Sequence, residues 1–67
     1  MNYVIYNAEL GLFFSGFGNG TFSKYAQKAK LFCDFGYAYY YLKRYSNWFD
    51  GFKVYSFNQV AKVVLYA

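Results

Sequence analysis

Side chains able to transfer protons, act as nucleophiles or hold a metal are scarce in this chain: three carboxylates, Glu9, Asp34 and Asp50, one thiol, Cys33, and no histidine. Ser-His-Asp and Cys-His arrangements therefore have no base, and His-containing zinc or iron sites have no ligands. A single cysteine does not hold a structural metal. Glycoside hydrolysis by two carboxylates, or two-metal hydrolysis, would need two of the three acids to converge from distant positions. Each acid already has a plainer role at a turn or a helix start. The glycine-rich stretch Gly16-Phe17-Gly18-Asn19-Gly20 fits neither G-x-G-x-x-G nor G-x-x-x-x-G-K-[ST], so it reads as a bent loop leaving a hairpin. The expectation is a non-enzyme that uses no cofactor and no metal.

What the chain has in abundance is ring surface. Ten Tyr, nine Phe and one Trp make up 30% of its 67 residues. A domain of this length buries only about 60% of the surface its unfolded chain exposes, so some rings must face water. Tyr suits such a place because its ring packs while its hydroxyl stays wet, and large exposed apolar patches mark interaction sites. The net charge of +4 favours acidic partners, although Lys24, Lys28, Lys30, Lys43, Arg44, Lys53 and Lys62 form no dense block.

Cys33 follows Leu31 and Phe32 and reads as a small buried hydrophobe. One cysteine cannot make an intramolecular disulfide, which suits a reducing, cytoplasmic setting. Met1-Asn2-Tyr3 does not begin like a signal peptide, and no apolar run approaches the roughly 18 residues of a membrane span, so no membrane role is expected.

These side chains must be positioned by short elements. Tyr3 to Tyr6 and Leu12 to Ser15 are β-branched or aromatic runs around a polar break, and they predict a β-hairpin turning at Asn7 and Gly11. Thr21 to Lys28 reads as a short helical turn capped by Ser23. Lys30 to Cys33 is apolar enough for a third strand, and Asp34 after it is an N-cap. Between Phe35 and Tyr45, Ala38, Tyr41, Leu42 and Tyr45 fall on one helical stripe, and Lys43 and Arg44 complement the dipole in the last turn. Asp50-Gly51 is a turn. Phe52, Val54 and Ser56 then alternate with Lys53, Tyr55 and Phe57, Asn58-Gln59 is a turn, and Val60 to Tyr66 reads as a final strand. The sum is one domain over 1–67. It is α+β and two-layered, of order β-β-(β)-α-β-β, with an antiparallel sheet of four or five strands and one main helix on one face.

Three surfaces follow as candidates for a partner. Opposite the Ala38 stripe, the helix carries Tyr37, Tyr40, Lys43 and Arg44, and Tyr and Arg are residue types that dominate binding energy at interfaces. The sheet face away from the helix, which holds Tyr55, Phe57, Val64 and Tyr66, or the opposite set if the register shifts by one, is left without a cover, so a second copy of the chain or a foreign protein can supply one. The loop with Trp48 and Phe49 is a further candidate, with closure of the core's end as its plainer role. The partner-binding residues so predicted are Tyr37, Tyr40, Lys43, Arg44, Trp48 and Tyr55.

The order Tyr3-Val4-Ile5-Tyr6, Gly11-Leu12-Phe13-Phe14, Lys28-Ala29-Lys30-Leu31-Phe32 and then Ala38 in a Tyr-rich helix resembles small proteins of bacteriophages and mobile elements. Several of those are anti-defence proteins, anti-CRISPR inhibitors among them. The resemblance spans most of the chain in pattern and contains no diagnostic motif, so it transfers no functional residue. Richness in Lys, Asn, Tyr and Phe with no Pro is in keeping with an AT-rich genome. The resemblance implies a stoichiometric inhibitor in the host cytoplasm that occludes a host nucleic-acid-processing complex such as a CRISPR-Cas effector. Two other readings stand beside it. One is a nucleic-acid-binding module that stacks bases on strand rings with Lys between them. The other is a membrane-surface peptide, which the short helix and the β-rich remainder disfavour.

Overall fold

The computed structural model describes residues 2–58, and within them the chain forms an α+β domain. Its antiparallel four-stranded sheet has the order β3-β2-β1-β4, with strands β1 (Tyr3–Asn7), β2 (Leu12–Gly16), β3 (Thr21–Ser23) and β4 (Lys53–Ser56). Helix α1 (Phe35–Arg44) packs against β1 and β4. The predicted strand Val60 to Tyr66 lies outside the described residues.

The first hairpin forms where the polar break predicts it. Asn7 is buried and fastens the turn with both ends of its side chain. Oδ1 accepts from the Leu10 N–H at 2.9 Å, and Nδ2 donates to the Asp50 carbonyl at 3.5 Å. The Gly11 N–H closes on the Asn7 carbonyl at 2.8 Å, with Gly11 at φ 68°, a value that favours glycine. Beyond this turn β1 pairs with β2 at Asn7↔Leu12 and Tyr6↔Phe13.

Two expectations for the middle of the chain are corrected. Thr21 to Ser23 is not helical: it returns as β3 against β2, with the register shifting between Phe14 and Gly16, and the helical turn is a 3₁₀ segment at Ala26–Lys28. Ser23 caps no helix, because its hydroxyl accepts from the Tyr25 N–H at 3.1 Å in a local turn. Residues Lys30 to Cys33 do not make a strand either. Phe32 exchanges a single pair of backbone hydrogen bonds with Tyr3, at 2.7 and 2.8 Å, and the Lys30 N–H donates to the Phe14 carbonyl at 2.9 Å. The segment thereby bridges β1 and β2 through one residue on each, so no ladder continues. It also leaves Cys33 exposed, against the expectation of a buried thiol.

Alternation along the strands sorts the sheet's two faces. Ile5, Phe14, Phe32, Ala38, Phe49 and Phe52 form the core beneath α1, joined by Tyr41, Leu42 and Val54. Val4, Tyr6 and Phe13 point the other way, with Tyr55 and Phe57 beside them, as the alternation predicts. That second face was expected to lie open, and it does not: Val4 and Phe13 are 0% exposed. The connection from Ser23 to Lys30 crosses it and packs Ala26 and Ala29 against Val4, Tyr6 and Phe13. Small side chains allow this close approach of loop to sheet. Of the six rings on the strands, Tyr6, Phe13 and Phe14 are thus buried, while Tyr3, Phe22 and Tyr55 are half-buried.

Helix α1 begins as predicted. The Asp34 carboxylate accepts from the Tyr37 N–H at 2.9 Å, and Lys43 and Arg44 occupy the last turn. Replacing Asp34 by Ala is expected to cost about 0.5–2 kcal/mol of stability through loss of this cap. Urea denaturation followed by circular dichroism measures it, and Asp34→Asn should restore most of the loss.

Candidate functional site

The helix buries little of itself. Only Ala38 is fully covered, with Tyr41 and Leu42 half-buried, while Phe35, Tyr37, Tyr39 and Tyr40 stay exposed. Tyr45, expected on the buried stripe, is the C-cap and is 36% exposed, because it sits past the edge of the sheet. The ring surplus therefore gathers on one layer of the molecule.

Along one flank the rings form a continuous row. Tyr37, Tyr41 and Tyr45 lie four residues apart, one helical turn each. Their centroids are 6.1 Å and then 4.8 Å apart. Phe17, delivered by the glycine-rich β2–β3 turn, packs edge-on to Tyr45 at 5.2 Å and to Trp48 at 5.4 Å. Gly16 at φ 105° and Gly20 at φ 84° flank this turn. Such angles strain any residue with a Cβ, so the glycines are what let the loop fold back over the helix end. Tyr41 is the hub, touching Phe14 and Phe32 of the core as well as its helical neighbours. Burial pushes its phenol pKa up, and Tyr45 and Tyr37 reinforce the shift.

A raised phenol pKa means that the folded state favours the neutral ring. That contribution to stability is fully present below the ordinary tyrosine pKa and is lost as pH rises through the folded value. An alkaline titration followed by tyrosinate absorbance is expected to show Tyr41 ionising above the ordinary tyrosine value. Tyr45→Phe should bring that ionisation to lower pH.

The other flank holds Phe35 stacked on Tyr39 at 6.1 Å and 15°, with the Tyr3 ring edge-on to Phe35 at 5.7 Å. Three cations rest on rings of this layer. Lys30 lies 5.6 Å from the Phe32 centroid, Lys43 lies 5.2 Å from Tyr39, and the Arg44 guanidinium lies 5.8 Å from Tyr45. Contacts of this kind contribute about 0.5–1 kcal/mol each at exposed sites.

The six residues predicted to bind a partner divide between three places. Tyr37 (52% exposed) and Trp48 (56%) belong to the ring row, which Arg44 joins through Tyr45. Tyr40, at 59% exposed, stands on the crest of the helix. Lys43 lies on the other flank, over Tyr39. Tyr37 and Lys43 are six residues apart, which at 3.6 residues per turn separates their directions by about 120°. Tyr55 is not part of this layer: it lies on the opposite sheet face, half-buried, with its ring edge-on to Tyr6 at 5.6 Å. Of the loop pair, Phe49 plugs the core against Phe14 at 4.9 Å, and Trp48 turns outward.

Sequence reasoning missed Tyr45 and Phe17 as parts of the surface, whereas Tyr41 packs half-buried on the core as its place on the Ala38 stripe predicts. The spacing of Tyr37, Tyr41 and Tyr45 was a usable signal for the first of these. Nothing in the sequence near Phe17 points to a helix more than a dozen residues further along the chain.

Glu9 lies in the first hairpin turn, Asp34 caps α1 and Asp50 lies in the turn before β4. Among the described residues no three His, Cys, Asp or Glu side chains come together, and no helix is long and apolar enough to cross a membrane. A shallow cleft of about 380 Å³ is lined by Ser15, Asn19 and Lys28, on a different part of the surface from the ring row's helical residues. Compared with known proteins, the chain matches no family model, no curated protein and no solved structure.

Proposed function

We propose that this chain is a non-catalytic binding protein that docks on a protein partner through helix α1 and the rings beside it. The observation that carries this reading is the exposure of Tyr37, Tyr40, Tyr45, Phe17 and Trp48 on one layer, all but Tyr40 held there by ring-to-ring contacts. Rings already fixed by their neighbours lose little freedom when a partner arrives, so more of the contact energy survives as affinity. Tyr, Trp and Arg at such a surface are the types that most often dominate binding. The partner class to test first is a host nucleic-acid-processing complex such as a CRISPR-Cas effector, inhibited by occlusion, because small anti-defence proteins share the pattern of this sequence.

The test compares the parent with the variant Tyr37→Ala/Tyr40→Ala/Arg44→Ala in affinity capture from lysate of the natural host. A stoichiometric protein partner is expected with the parent and absent with the variant. Each lost anchor removes about 2 kcal/mol or more at an interface centre. Circular dichroism should show the same fold for both. A parent that recovers no protein sinks the proposal. Recovery of nucleic acid instead, with affinity falling steeply as salt rises, would install the nucleic-acid reading in its place.

A further inference from the structure

Resting on the protein-docking reading above, we infer that the partner presents an acidic, apolar-bearing surface to the α1 layer, and that this chain does not imitate nucleic acid. The inference starts from charge. The exposed helix sequence from Phe35 to Arg44 contains no acid, and its only neighbouring carboxylate, Asp34, is engaged with the Tyr37 N–H. Arg44 lies beside the ring row, Lys43 on the other flank of the helix and Lys30 against the core ring Phe32, and each rests on an aromatic ring with no carboxylate partner among the described residues. A basic groove built to hold nucleic acid would repel them, whereas carboxylates on a partner would gain cations already held against rings on either flank of the helix.

Ring geometry separates an acidic protein from a nucleic acid, which is equally anionic. A base needs an open ring face on which to stack. Here Tyr37 meets Tyr41 at 74°, Tyr45 meets Phe17 at 67° and Phe17 meets Trp48 at 70°. Tyr41 is tilted by 50° to Tyr45 and lies closer to parallel, at 28°, with Phe17. The Tyr39 ring is taken by Phe35 and Lys43, and the Tyr45 ring by Arg44. Rings held at such varied angles by one another, with hydroxyls and cations among them, suit apolar side chains and carboxylates better than a regular stack of bases.

Trp48 is the chain's single Trp and sits at one end of the row, so its fluorescence reports occupation directly. The probes are a fluorescein-labelled peptide of alternating Glu and Leu, its Lys and Leu counterpart, and oligo-dT, each titrated by anisotropy and by Trp48 emission. The Glu peptide is expected to bind, to change Trp48 emission and to weaken with rising salt. Arg44→Glu and Lys43→Glu should each weaken it about thirtyfold, the change that losing one charge contact of about 1 kcal/mol and reversing its sign imply. Lys53→Glu, at the exposed first residue of β4, should weaken it much less. Equal binding of the Lys peptide would overturn the acidic assignment while leaving the docking layer intact. Tighter binding of oligo-dT would overturn it in favour of nucleic acid. Failure of the Glu peptide to bind overturns it as well, and capture of a partner by the parent but not by the triple variant would then show that protein docking survives with a different chemistry.

Discussion

Phe14→Ala is expected to abolish the cooperative unfolding transition, leaving a chain that is unfolded or nearly so at room temperature. Phe14 is 0% exposed and its ring touches those of Phe17, Phe22, Tyr41 and Phe49, so it joins the sheet, the helix and the glycine-rich turn at one point. Truncating a buried Phe to Ala costs about 3–5 kcal/mol, through lost transfer energy and the cavity left behind. At roughly 0.05–0.15 kcal/mol per residue, a domain this small holds only about 3–10 kcal/mol in all. The loss is therefore comparable with the whole stability. Far-UV circular dichroism across a urea series measures it. A control at exposed Tyr25 should shift stability by less than about 0.5 kcal/mol. A Phe14→Ala protein that unfolds with nearly the parent's midpoint would mean that the core is not organised around this ring.

The second large effect is expected from Gly51→Ala, at about 2–3 kcal/mol of destabilisation. Gly51 has φ 81°, where a Cβ meets the backbone and costs roughly 1–2 kcal/mol. The added methyl would also lie 3.0 Å from Asn7 Nδ2. Asn7 cannot easily retreat, because it is buried and its Oδ1 is held by the Leu10 N–H. Relief requires loosening the bond from Asn7 Nδ2 to the Asp50 carbonyl, which joins the first hairpin to the turn before β4. Chemical denaturation of Gly51→Ala alone, Asn7→Ala alone and both together reads the coupling. The double variant should lose less than the sum of the two, since removing the Asn7 side chain removes the collision. Full additivity would show that the cost of Gly51→Ala is backbone strain only.

Ring placement links these stability effects to function. Phe14 supports Phe17 and Tyr41, and those two support Tyr45, Tyr37 and Trp48 on the surface. Core and docking layer are thus one connected set of rings. Variants that loosen the core should soften the surface row too, and binding measurements need a fold control for that reason.

What the amino-acid sequence determined by itself was whatever neighbours along the chain decide. The first hairpin turned at Asn7 and Gly11, α1 started on the Asp34 cap, and Val54 and Tyr55 went to opposite faces, because capping, turn chemistry and the pleat act over a few residues. The same locality made Tyr37, Tyr40 and Arg44 legible as outward-facing. Tertiary structure alone decided that Thr21 to Ser23 would be β3, since its pairing with β2 outweighs a weak helical preference. It also closed the second sheet face with Ala26 and Ala29, and brought Phe17 and Trp48 to the end of the Tyr row. Those outcomes depend on contacts between segments far apart in the chain, and the energy of such contacts has no local signature for a sequence to display.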